Sequence, residues 1–146
     1  MKYDELLKSG RIRRQAASRA EIDRAMDRAA RDLKTARKIM AEDWDWGFTV
    51  AYNAVLQSSR AYMFAQGYRP ASAEGHKNTF AFMRIAMGKS YEELISYFDR
   101  MRNKRNQAMY DVAGQITETE ARQLFKRATE FVRLIRGKLG GSACSS

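Results

Sequence analysis

The sequence predicts an all-α protein, an antiparallel up-and-down bundle of four to five main helices. Three observations carry that prediction. Apolar residues recur at helical spacing over most of the chain. Ser18-Arg-Ala-Glu21, Ser90-Tyr-Glu-Glu93 and Thr117-Glu-Thr-Glu120 each fit the capping-box pattern ahead of a helical run. There is one proline in 146 residues, among many Ala, Leu, Met, Arg and Glu residues that favour helix.

The elements follow in order. Residues 3–8 are expected as a short helix stopping near Gly10, with Arg11-Ile-Arg-Arg14 as a basic link. Residues 18–40 carry Ile22, Met26, Ala29, Leu33, Ala36 and Met40 on one stripe. Trp44 and Trp46 flank the turn into a helix over 45–66, which carries Phe48, Tyr52, Val55, Ser59, Tyr62 and Met63. Gly67-Tyr-Arg-Pro70 ends it, with glycine placed as a C-cap. A loop of small residues leads to a shorter helix over 76–87 with Phe80, Phe82, Met83 and Ala86. Gly88-Lys-Ser90 turns into a helix over 90–109. The last helix starts at Thr117, with Ala121, Leu124, Phe125, Ala128, Phe131, Val132 and Ile135 as its core stripe, and Gly137, Gly140 and Gly141 are expected to end it. The chain thus divides into residues 1–17 (short helix and basic link), 18–138 (bundle) and 139–146 (a flexible tail).

The length suits one domain with a real core. A formal net charge of +10 points to an anionic partner such as RNA, a nucleotide or an acidic protein. Arginine-rich helix surfaces that merely keep the chain soluble would give the same balance. Cys144 is the one cysteine, so there is no disulfide framework and no metal-type spacing. No apolar run approaches a membrane span, and no signal-peptide pattern opens the chain, so the expected address is the cytoplasm.

The candidate site lies in Arg100-Met-Arg-Asn-Lys-Arg-Asn-Gln-Ala-Met-Tyr-Asp111. The helix leading into it carries Tyr91, Leu94, Ile95 and Phe98 on one face. The same phase continues through Arg102, Arg105, Asn106 and Met109. Two guanidiniums and an amide therefore take over the core face. A buried arginine must be paired, wet or bound to a ligand. The alternative is a helix that has run past its bundle into solvent. Arg100, Arg102, Lys104 and Arg105 have no acid between Asp99 and Asp111, which suits phosphate or carboxylate nearby. Asn106 adds a donor and an acceptor, and Tyr110 a stacking surface with a hydroxyl. Arg102, Lys104, Arg105, Asn106 and Tyr110 are thus the candidates for contact with RNA or a nucleotide.

Other constellations are weaker. His76 is the only histidine, which excludes a Glu-x-x-His di-iron bundle. It could serve as a general base, but its place at a helix start favours a structural role. Glu42, Asp43 and Asp45 around the tryptophans fit helix-start electrostatics. Tyr52, Tyr62, Phe64 and Tyr68 read as core or subunit interface. No glycine-rich phosphate loop or nucleophile elbow is present, and no motif implies a cofactor or a metal.

Four stretches, in order, resemble the HEPN domain family (higher eukaryotes and prokaryotes nucleotide-binding). They are Asp32-Leu-Lys-Thr-Ala-Arg37, then Ala51-Tyr-Asn-Ala-Val-Leu-Gln-Ser-Ser-Arg60, then Gly67-Tyr-Arg-Pro70 with Gly75-His-Lys-Asn-Thr-Phe80, and last Arg102-Asn-Lys-Arg-Asn-Gln-Ala-Met-Tyr-Asp111. The resemblance implies an up-and-down bundle of four or five helices, a dimer, and often a minimal nucleotidyltransferase partner in a toxin–antitoxin type module. Many members cleave RNA without a metal, through an arginine and a polar residue followed by a histidine four to six residues on. Arg105 and Asn106 match the start of that pattern. Tyr110 stands where the histidine is expected, and none lies downstream. A tyrosine with an ordinary pKa near 10 is a poor base at neutral pH.

Three readings result. The first is a HEPN-like dimer that binds RNA, a nucleotide or a nucleotidyltransferase partner, with weak or no nuclease activity. The second is an active metal-independent ribonuclease toxin. The third is a purely structural dimerisation module.

Overall fold

The computed structural model describes residues 2–110 and 116–144, without the side chains of 108–110 and 141–144. Six α-helices account for most of these residues, the first of them very short. They are α1 (Asp4–Lys8), α2 (Arg19–Met40), α3 (Trp44–Gln66), α4 (Gly75–Met87), α5 (Glu92–Tyr110) and α6 (Glu118–Cys144). Asp111 lies outside the described residues.

Local chemistry explains the boundaries. At α2 the Ser18 hydroxyl accepts from the Glu21 N–H while the Glu21 carboxylate accepts from the Ser18 N–H, a closed capping box. Thr117 and Glu120 make the same reciprocal pair at α6. The third expected start behaves differently. Lys89–Tyr91 forms a 3-10 turn behind Gly88, with no side-chain cap, and α5 begins at Glu92. Gly67 ends α3 at φ 89°, a left-handed conformation that glycine adopts without a Cβ penalty.

The core is built around α3, which packs against α2, α4, α5 and α6. That position explains its sequence. Phe48, Ala51, Tyr52, Ala54, Val55, Ala61 and Met63 are buried on more than one face, unlike the single stripe of α2. A three-residue link joins α2 to α3, so the two lie as an antiparallel hairpin. The stripes of α2, α4 and α6 all enter one core cluster, with Leu33, Ala86 and Phe125 at its edge.

Two features depart from expectation. The basic link is a short strand, β1 (Ile12–Arg14), paired antiparallel with β2 (Tyr68–Pro70). Ile12 is buried under this ladder, which is what draws the link inward. Second, α6 continues through Gly137, Gly140 and Gly141 to Cys144, so the boundary expected at residue 139 falls inside a helix. Each helical glycine costs about 1 kcal/mol relative to alanine. Leu139 offsets that cost by packing against the core, and with Gly140 it faces Ile22 and Met26 of α2.

Candidate functional site

The four cations of α5 do not share one face. Arg100 turns toward α6, where its guanidinium lies 6.0 Å from the Tyr97 ring centroid and Arg127 approaches the same ring at 5.2 Å. Lys104 is ion-paired with Glu120 of α6. Arg102 and Arg105 turn the other way, toward α3 and α4, continuing the stripe of Ile95 and Phe98. All three of Arg102, Arg105 and Asn106 are half-buried, so the helix has not run out into solvent there.

Between α4 and α5 lies a cleft of about 220 Å³, lined by Glu74, Gly75, His76, Lys77, Arg102 and Asn106. One wall is the first turn of α4. Its N-cap residue, Glu74, has φ 54° and gives no side-chain hydrogen bond to the turn, so the helix's N-terminal amides are uncapped by a side chain. That end of a helix favours an anion. Glu74 itself pairs loosely with Lys77 at 3.9 Å.

The opposite wall is held from below. Arg102 Nε donates to Asp99 Oδ1 at 3.0 Å, which orients the guanidinium. Arg105 does not line the cleft. Its guanidinium stacks 5.5 Å from the Tyr52 ring centroid, and its Nη1 donates to Asn106 Oδ1 at 3.2 Å. Fixing the oxygen in this way leaves Asn106 Nδ2, a donor, for the cleft. Arg105 Nε is buried without a hydrogen-bond partner.

His76 joins the site from α4. Its Nδ1 lies 3.2 Å from the hydroxyl of Tyr52, which is fully buried. Burial pushes the Tyr52 phenol well above tyrosine's ordinary pKa, so it keeps its proton. That proton needs an acceptor, and Nδ1 provides one, which puts the imidazole's own proton on Nε2. Burial, then the charges of Arg60, Arg105 and Arg102, press the His76 pKa down from 6.5 to about 4. At neutral pH the ring is uncharged. The cleft therefore presents a guanidinium, an amide donor, a neutral ring donor and helix-terminal amides. This set suits a phosphate oxygen.

From its place at a helix start, His76 was expected to be structural. Its hydrogen bond to Tyr52 is structural, yet the same ring lines the cleft beside Arg102 and Asn106. The signal in the sequence was its stretch, Gly75-His-Lys-Asn-Thr-Phe80, among those that carried the family resemblance. Tyr110 ends α5, and its side chain lies outside the described residues.

The HEPN domain family model matches residues 22–138. The chain belongs to this family. Every residue lining the cleft lies inside the HEPN match, whereas α1, β1 and the start of α2 precede it. HEPN domains commonly dimerise, and the family is associated with RNA and nucleotides. No curated protein matches the chain. Among the described residues, no helix of this HEPN protein is long and apolar enough to cross a membrane. No group of three or more His, Cys, Asp or Glu among them is placed to hold a metal ion.

Proposed function

We propose that this HEPN protein binds RNA through a phosphate held in the α4/α5 cleft, with weak or no nuclease activity, as a homodimer in a toxin–antitoxin type module with a minimal nucleotidyltransferase partner. The observation that carries the binding is the convergence of Arg102, Asn106 and His76, from two helices, on one cleft at a helix N-terminus. Arg102 supplies charge, Asn106 and His76 supply directed donors, and the amides of α4 complete the cradle. Lys104, spent on Glu120, contributes to the field more than to contact.

Weak chemistry follows from the protons. Metal-free RNA cleavage needs a group that accepts the 2′-hydroxyl proton near neutral pH. With Nε2 protonated, His76 has no free lone pair toward the cleft. Moving the proton to Nδ1 would leave the buried Tyr52 hydroxyl without an acceptor, at about 1–3 kcal/mol. A guanidinium offers no base at neutral pH, and an amide does not titrate. The dimer and the partner rest on family membership. Among the described residues Trp46 is the only large apolar side chain that is mostly exposed, so unburied apolar surface adds little to that case.

A ribonuclease reading draws on the same histidine. His76 lies beside the Arg–Asn pair although no histidine follows that pair in the chain, and the tautomer with its proton on Nδ1, donated to the Tyr52 hydroxyl oxygen, would free Nε2 to act as a base.

Fluorescence anisotropy with a labelled RNA strand at low salt, with chelator present, tests both readings. Wild type should bind. Arg102→Ala and Asn106→Ala should each weaken binding, by about tenfold for the charged contact. No measurable binding would remove the RNA reading and favour a structural module. Chelator-resistant cleavage that disappears in His76→Asn would replace weak activity with true catalysis. Light scattering in the same buffer should report a dimer, and a monomer at micromolar concentration would count against that part.

A further inference from the structure

We propose that the α4/α5 cleft is one end of a longer track for single-stranded RNA, which continues across Arg60 into a groove between α2 and α3. This inference rests on the RNA reading of the cleft. The second groove also measures about 220 Å³ and is lined by Arg24 and Arg28 of α2 and by Gln57, Arg60 and Phe64 of α3. Glu21 is its one acid. That carboxylate is already engaged, accepting from Arg69 Nη2 at 2.7 Å and from the Ser18 N–H at 3.1 Å. Three guanidiniums and an amide remain to face a ligand.

Arg60 joins the two sites. It lines the α2/α3 groove, yet its Nη2 lies 3.7 Å from where a Cβ on Gly75 would stand, and Gly75 belongs to the α4/α5 cleft. Among the charges acting on His76, Arg60 is the strongest. Its Nε is buried without a hydrogen-bond partner, and burial works against its charge. A half-buried cation between two open, basic sites is best relieved by an anion on each side. A polymer with regularly spaced phosphates meets that need, whereas a single nucleotide would fill one cleft and leave the other vacant. The sites are small, and Arg60 lies between them beside the start of α4. A flexible strand can follow such a path, while a duplex holds its phosphates on a rigid convex surface.

The test compares three labelled probes by anisotropy: a dinucleotide, an unstructured strand of about ten nucleotides, and a duplex of the same length. Arg24 and Arg28 are exposed on α2, so Arg24→Ala/Arg28→Ala should fold normally. Wild type should bind the strand at least about tenfold more tightly than the dinucleotide or the duplex. The double variant should weaken strand binding by about tenfold and leave dinucleotide binding unchanged. Its salt slope for the strand should flatten by about 0.7 for each phosphate that is no longer neutralised. If the double variant matches wild type on the strand while Arg102→Ala weakens it, the longer track is wrong and the single cleft stands. Equal losses on strand and dinucleotide, or a duplex that binds as well as the strand, also overturn the track. If wild type binds none of the probes, both readings fall together.

Discussion

His76 shares its Nδ1 with the Tyr52 hydroxyl, and its burial, then the guanidiniums around it, set how it titrates. Its pKa is lowered in the folded protein, so the unfolded chain takes up the proton first as the solution is acidified. The sign is therefore fixed: this residue's contribution is fully present above pH 6.5 and is lost as pH falls toward about 4. His76→Asn keeps an acceptor for Tyr52 and removes the titration. Chemical denaturation across this window should show a shallower pH dependence for the variant than for wild type. A bound phosphate would offset the arginines and raise the pKa again. In an NMR titration, the midpoint near 4 should move up when a dinucleotide is added. A free-protein midpoint at 6.5 would contradict the buried, arginine-flanked environment. The sequence could not reveal this environment, because Tyr52, Arg60 and Arg105 meet His76 only through packing across α3, α4 and α5. A lone histidine at a helix start carries no mark of which helix it will face.

Periodicity in α5 did show which residues replace its core face, and Arg102, Arg105 and Asn106 do lie toward α3 and α4. Lys104 was less legible, because its partner Glu120 belongs to α6 and lies 16 positions away by their residue numbers. The long helices were readable for the same reason that they are stable: α2 and α6 each bury a stripe, α3 buries more than one face, and two of the three capping boxes close as written. The exceptions have local causes. The β1–β2 ladder has only three residues per strand, too few to show an alternating pattern. The glycines of α6 read as a stop because their cost is local, while the packing of Leu139 that offsets it is not. Gly47 shows the reverse case, a glycine that its helix requires. A Cβ there would stand 3.0 Å from Met40 Cα, where α2 turns into α3. Gly47→Ala gains about 1 kcal/mol of helix propensity but meets about 1–3 kcal/mol of overpacking. The expected net is a loss on the order of 1 kcal/mol, seen as a Tm lower by a few degrees. An unchanged or higher Tm would mean that the α2–α3 corner yields freely.

At the scale of the molecule, the net charge of +10 favours an anionic partner but does not say where one would sit. The cations are dispersed by the fold. Some are neutralised on helix surfaces, as in Arg19–Asp23 and Arg122–Glu118, while the two clefts gather theirs from helices distant in the chain. The N-terminal segment shows how far that dependence reaches. Arg11 Nε donates to the Oδ1 of buried Asn78, 67 residues away, and Asn78 Nδ2 donates to Ala73 O. Tyr3 stacks on Phe82 of α4 with ring centroids 4.4 Å apart. The helix that carries His76 is thus clasped by residues outside the family match. A ribosome releases that clasp before β2 or α4 has been made. Closing so long a loop carries an entropic cost that the α2–α3 hairpin does not bear. In pulse-labelled exchange, the Gln15 amide, which bonds Gly67 O, should gain protection after the amides of α2 and α3. Residues made before the helix they clasp would then find their place after it, and the nascent protein would have no finished α4/α5 cleft until this segment had folded back to complete it.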